Sequence, residues 1–305
     1  MEERLLHIRI SAWMELCKRN SVKPTTYDRL ETSLKLLQQY SIAFMDILSL
    51  RQEDLHNFIN EMVEDGYSQS TIRKQFHLIS AYLKYALNRG DVSRPIYSDI
   101  NLPAPTAVKK PRREVQSYTR AQQMMLKKEL RTYARTGYAA AILMMETGMR
   151  IGECLALTWR DIQWERRAVS INKTLIRIAN RRKTEVQNTA KSYTSNRVIP
   201  LSTEAYRMLE DLYMGTDGFI FAGADGKPLS YEAMRYQIQQ ACEATNVPYL
   251  GQHVFRHTFA TNCYYRGCDV KILSKLLGHS DVTITYNIYI HLFGDALEEM
   301  RSVVG

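Results

Sequence analysis

A chain of 305 residues, 45% of them hydrophobic, can bury a sizeable core and, at ordinary domain sizes, divides into about two lobes. Its formal net charge of +9 favours a polyanionic partner, nucleic acid foremost, although charge speaks to association and not to fold. The N-terminus lacks an uninterrupted apolar run with a small-residue cleavage site. The most apolar stretch, Ala139–Met145, falls far short of the roughly twenty residues that cross a bilayer, so a soluble, cytoplasmic protein without a membrane partner is expected.

The first ninety or so residues read as helices. Leu30, Leu34 and Leu37 recur at helical spacing after Pro24-Thr25-Thr26, where proline and threonine suit a helix start. Ser49 precedes the apolar series Leu55, Phe58, Ile59, Met62 and Val63, which Gly66 stops. A third series, Ile72, Phe76, Ile79 and Leu83, forms one stripe closed by Gly90. Between Ser93 and Gln116 the pattern breaks at Pro95, Pro103, Pro105 and Pro111 around the basic group Lys109, Lys110, Arg112 and Arg113. This reads as a linker, either an ordinary solvated connection or a segment that tracks a phosphate backbone between two lobes.

Helices return from Thr119, and Gly137 to Leu155 suggests two of them broken at Thr147-Gly148, where glycine allows a tight turn. Ala168–Ile171, Thr174–Ile178 and Arg197–Pro200 read as short antiparallel strands. Helical patterns resume near Ser202 and, after the Asp225-Gly226 turn, continue through Tyr231–Asn246, Gly251–Tyr265 and Val270–Leu277.

Chemistry concentrates in the second lobe. Arg150 follows the glycine turn in Thr147-Gly148-Met149-Arg150-Ile151-Gly152-Glu153, and Arg256 sits in His253-Val254-Phe255-Arg256-His257. A guanidinium fork binds phosphate oxygens bidentately, and two of them can neutralise the charge that phosphoryl transfer loads onto non-bridging oxygens. His253 shares a helical face with Arg256, and His279 follows in Leu277-Gly278-His279. Both imidazoles can hold or move a proton near neutrality, whereas His257 and His291 read as structural hydrogen-bonders. Glu153, three residues after Arg150, is placed to orient that arginine or to pair with a histidine of the cleft.

The five cysteines are scattered without a C-x-x-C pair and read as reduced, packed thiols. His253, His257, Cys263 and Cys268 superficially offer zinc ligands, but their spacing fits no standard site, and no metal is expected.

Together with Tyr289, which lies ten residues after His279, these motifs resemble the tyrosine recombinase (phage integrase) family, most closely the integrases of conjugative transposons and temperate phages. The resemblance spans about Thr147 to His291. It implies a mainly α fold: a helical core-site DNA-binding bundle at residues 1–92, the basic linker at 93–116, and a mixed, mostly helical catalytic domain with a small antiparallel sheet at 117–305. It makes Tyr289 the nucleophile, with Tyr286 one helical step away as the rival. It places a catalytic lysine at Lys191, where an ammonium in a hairpin loop could protonate the leaving 5′-oxygen, with Lys183 and Lys173 as alternatives.

The activity so implied is site-specific strand exchange through a 3′-phosphotyrosyl intermediate and a four-way Holliday junction. It would serve integration or excision of a mobile element, without cofactor, ATP or divalent metal. The implied partners are double-stranded DNA, three further copies of the chain in a tetramer, and accessory DNA-bending or directionality proteins. A type IB topoisomerase and a DNA-binding protein with a decayed site are the alternatives. Many integrases of mobile elements carry a small arm-binding domain ahead of the helical lobe. This chain opens on the helical lobe itself, so the expectation is a minimal or a truncated recombinase.

Overall fold

Helical periodicity in the first hundred residues becomes four α-helices in the computed structural model, which describes residues 2–104, 116–133, 135–178, 183–188 and 196–286. The helices are α1 (Leu6–Trp13), α2 (Pro24–Leu37), α3 (Gln52–Glu64) and α4 (Gln69–Asn88). Pro24 occupies the first turn of α2, where its missing N–H costs no hydrogen bond. Helix α3 starts after Arg51 and not at Ser49: the Asp54 carboxylate accepts from the Arg51 backbone N–H at 2.7 Å, while the Ser49 hydroxyl donates to the Asp46 carbonyl. The Ser68 hydroxyl caps α4. The inward stripes merge into one core containing Leu6, Ile10, Leu37, Leu55, Phe58, Met62, Ile72, Ile79 and Leu83, with Phe76 and Leu30 at its margin.

Residues 93–104 behave differently from a free linker. Ile96, Tyr97, Ile100 and Leu102 pack onto this core, and the Gln52 and Gln69 side-chain amides donate to the carbonyls of Ser98 and Pro103 at 2.9 and 2.8 Å. Proline breaks the helix here without releasing the chain, because the apolar residues between the prolines still have a surface to cover.

The chain splits into two compact units, Met1–Arg113 with Arg177–Lys183, and Glu114–Ile176 with Thr184–Gly305. The second is built from α5 (Arg120–Tyr133), α6 (Arg135–Thr147), α7 (Ile151–Leu155), α8 (Thr203–Leu212), α9 (Tyr231–Thr245), α10 (Val254–Tyr265) and α11 (Val270–Leu277). Helix α6 is apolar on every side over Ala139–Met145 and is wholly buried there, packed against α5, α8 and α10, which is what an all-round apolar helix requires. No helix among the described residues is long and apolar enough to cross a membrane.

A three-stranded antiparallel sheet, in the order β1 (Ile162–Gln163), β2 (Ala168–Ile171) and β5 (Arg197–Pro200), sets Val169 opposite both Ile162 and Ile199. Strand β3 (Lys173–Ile178) lies in a separate two-stranded sheet with β4 (Lys183–Asn188). Neither β1 nor β4 is announced by the residues. The former is two residues long, and in the latter the two β-branched residues, Thr184 and Val186, are both exposed, so no buried face writes an alternation.

Helix α11 has sharply defined ends. The Asp269 carboxylate accepts from the Lys271 and Ile272 N–H groups at its start, and Gly278 ends it in the left-handed conformation.

Candidate active site

The last carbonyls of a helix have no partner within it and carry the negative end of its dipole, so cations are stabilised there. At the end of α11 three successive carbonyls each accept from an arginine of a different element. Leu276 takes Arg197 Nε at 2.6 Å, Leu277 takes Arg256 Nη2 at 2.8 Å, and Gly278 takes Arg150 Nη2 at 3.3 Å. The next residue is His279.

Arg150 reaches this point because the chain turns sharply after α6. Gly148 has φ +65°, and a Cβ there would lie 2.4 Å from the Phe259 ring and 2.8 Å from Leu277, so α10 and α11 close directly over the turn. Its carbonyl accepts Arg256 Nη1 at 2.9 Å, which ties the second guanidinium to the turn that presents the first. Arg150 itself caps α7. Its backbone N–H donates to Glu153 Oε2 at 2.8 Å and its Nη1 to Oε1 at 3.0 Å. The Arg150 side chain is 40% exposed, against 3% for Glu153.

Glu153 meets no histidine among the contacts described. Its second cation is Arg197, whose Nη1 and Nη2 grip Oε1 at 3.1 Å and Oε2 at 2.7 Å. Burial pushes the Glu153 carboxyl up, but Arg197 and Arg150 more than offset that and hold it below its ordinary value. Three guanidiniums thus converge against this one carboxylate, a surplus of positive charge suited to an anion. Arg256, almost wholly buried and close to Arg150, is drawn down to about 9 by burial first and Arg150 second, and it stays cationic at neutral pH.

The imidazoles feel the same field. His253 sits at the N-terminal boundary of α10 one turn before Arg256, and its pKa is lowered by burial, then by Arg256 and Arg150. His279 shares a 2.7 Å hydrogen bond between Nδ1 and Thr285 Oγ1, and burial followed by Arg256, Arg150 and Arg197 brings it down to about 4. Both are therefore neutral at pH 7. His257, expected as a structural hydrogen-bonder, differs: its Nδ1 is buried with no partner, and burial lowers its pKa.

Lys173, an alternative to Lys191, is committed elsewhere, to a buried ion pair with Asp161. Lys191, Tyr289, His291 and the basic residues Lys109, Lys110, Arg112 and Arg113 lie outside the described residues, as does the side chain of Lys183. Tyr286 is described and exposed. Among the described residues no group of three or more His, Cys, Asp or Glu side chains is arranged to hold a metal ion.

Residues 118–295 match the model of the phage integrase family, and residues 10–102 match that of the phage integrase SAM-like domain. The chain belongs to the phage integrase family. A tyrosine recombinase XerC-like protein of Caldanaerobacter subterraneus subsp. tengcongensis is 24% identical over 92% of this chain and 77% of its own length. The transposase from transposon Tn916 of Enterococcus faecalis is 25% identical over 94% and 77%. In fold, the chain resembles the Tn1549 transposon integrase in complex with a circular intermediate DNA, with TM-score 0.79, 21% identity, and 98% of this chain and 99% of that one covered. It also resembles the lambda integrase tetramer bound to a Holliday junction, with TM-score 0.66, 16% identity, and 93% and 77% covered. Membership makes this chain a site-specific tyrosine recombinase of the kind found on mobile elements.

One side chain of this cluster escaped the sequence motifs. Arg197 reads as a strand residue in a basic stretch, and its partner Glu153 lies 44 residues away. The one signal for it is an arginine that opens a strand ahead of the apolar Val198 and Ile199, which directs attention to the strand and not to the charge.

Proposed function

We propose that this recombinase cuts double-stranded DNA at specific core sites with Tyr289 as nucleophile. The Tyr289 oxygen attacks the scissile phosphorus, forms a 3′-phosphotyrosyl bond and expels a 5′-hydroxyl, which then attacks the corresponding link on a partner strand. Arg150 and Arg256 neutralise the non-bridging oxygens, and Lys191 gives the leaving 5′-oxygen its proton. His253 and His279 are neutral before DNA binds; one takes the proton of the attacking phenol while the other donates a hydrogen bond to the phosphate, and Glu153 orients Arg150. Four protomers exchange strands in two steps through a Holliday junction, in the cytoplasm on the nucleoid. The helical lobe of residues 1–92 and the catalytic domain of 117–305 hold the duplex, with Lys109, Lys110, Arg112 and Arg113 of the 93–116 linker on its phosphates. Accessory bending or directionality proteins would set the outcome of the exchange.

The observation that carries this reading is the convergence of Arg150 and Arg256 at the end of α11, with positive charge in excess of the Glu153 carboxylate. The bond energy is held in the covalent link, so the reaction as written balances without a nucleotide cofactor. The test is to incubate the protein with sheared DNA at low salt, denature with SDS and recover protein-linked strands. Adducts should form with the wild type and with Tyr286→Phe and disappear with Tyr289→Phe. Wild-type levels of adduct from Tyr289→Phe would overturn the assignment.

A further inference from the structure

We infer that Arg197 is a positioning residue for strand cleavage: it locks Glu153 and the last turn of α11 into one frame, so that Arg150 and His279 are presented to the same phosphate. The inference rests on the function proposed above.

All three nitrogens of the Arg197 guanidinium are engaged in this frame. Two of them grip the two oxygens of Glu153 at 3.1 and 2.7 Å, and Nε donates to the Leu276 carbonyl at 2.6 Å. Its side chain is only 7% exposed, so it lies beneath the surface that DNA would touch. The backbone that carries it is held by the sheet, where Arg197 pairs with Ile171 of β2. A planar fork can make this set of bonds at once, whereas a lysine ammonium on a flexible stem can replace the charge but not the geometry.

Glu153 and the end of α11 are the two objects that Arg150 also touches, through Glu153 Oε1 at 3.0 Å and the Gly278 carbonyl at 3.3 Å. Without Arg197, the buried carboxylate keeps Arg150 as its direct partner. Arg150 is then drawn inward, away from a phosphate, or Glu153 takes up a proton. Among the described residues, the charged and titratable groups that face Glu153 are Arg150, Arg197 and Arg256, with Cys154 beside it on α7. Removing Arg197 takes away the cation that does most to keep the carboxyl ionised, so protonation moves toward neutral pH and cleavage should acquire an acid limb.

The test compares Arg197→Lys, Arg197→Gln and the double variant Arg197→Gln/Glu153→Gln in the full chain. Single-turnover cleavage of a nicked duplex, built on a site recovered from trapped adducts, is followed from mildly acidic to alkaline pH beside duplex affinity. Arg197→Gln should bind DNA within about threefold of wild type yet cleave on the order of a hundredfold more slowly, with a rate that recovers as the pH rises. Arg197→Lys should lose about tenfold and keep the wild-type pH profile. The double variant should lose the acid limb, because no carboxyl remains to titrate at position 153. The inference is overturned if Arg197→Gln cleaves within about threefold of wild type, or if its cleavage and affinity fall by the same factor with an unaltered pH profile. Tyr289→Phe, run alongside, separates the two failures. Cleavage by Tyr289→Phe would sink the proposed function, whereas unresponsive Arg197 variants beside an inactive Tyr289→Phe would sink this inference alone.

Discussion

Two buried carboxylates of the second unit are partnered in opposite ways. Asp161 is closed on itself: it accepts from the Thr158 N–H at 2.8 Å, the Thr158 hydroxyl at 2.7 Å and the Asn172 amide at 3.1 Å, and Lys173 supplies one positive charge for its one negative. Glu153 is equally buried, but its partners are two arginines with a third close by, and one of them, Arg150, opens to solvent. Both carboxyls are held below their ordinary values, so a lowered pKa does not by itself separate structural from functional. The balance of charge does. A matched pair satisfies itself, and an unmatched cluster awaits a ligand of the missing sign.

Breaking each network should therefore fail in a different way. Lys173→Met leaves Asp161 buried without its cation and should cost about 3 to 5 kcal/mol in urea unfolding, with little change in cleavage per folded molecule. Arg150→Ala removes a partly exposed side chain from a site with cations to spare. It should slow single-turnover cleavage on the order of a hundredfold or more, with stability changed far less. A loss of a few fold in cleavage would contradict the role given to Arg150, and a large loss of stability would make the two networks alike.

Gly148→Ala tests the turn beneath the open cluster. A methyl group at φ +65°, facing Phe259 and Leu277, should cost about 2 kcal/mol and displace the carbonyl that holds Arg256, so calorimetric stability and cleavage should fall together. A smaller effect comes from the imidazoles. Between the ordinary value of 6.5 and about 4, an unfolded histidine binds a proton that folded His279 refuses, so stability falls as the pH drops through this window. His279→Asn should flatten that slope in part, since His253 and His257 are shifted in the same direction and remain. An unchanged slope would mean that His279 is not held neutral by the cluster.

Much of the fold was legible where the chain repeats an apolar residue at helical spacing. The stripe of Leu30, Leu34 and Leu37 and that of Ile72, Ile79 and Leu83 each became a helix facing one core. The strand β4 was not, because its residues bury no continuous face, and the packing of Ile96 to Leu102 was masked by the prolines around them. In the site, Arg150, His253, Arg256 and His279 stood out through local motifs, glycine turns and short spacings that survive in one dimension. Arg197 depends on Glu153 and Leu276, 44 and 79 residues away, and such a contact leaves no local mark. Glu153 lies beside Arg150, the first of the two roles its spacing offered; the alternative, a pairing with a histidine, is not among the described contacts, where the distant Arg197 is its second partner.

The most direct test of the central claim is to locate the DNA linkage on the protein. The trapped adduct would be digested with nuclease and trypsin, and the nucleotide-bearing peptide sequenced by mass spectrometry. Trypsin leaves Tyr286 and Tyr289 on one peptide, so fragmentation must assign the phosphate between them. The expected result is a nucleotide on Tyr289 and none on Tyr286. A nucleotide on Tyr286, or on any residue outside this peptide, would contradict it.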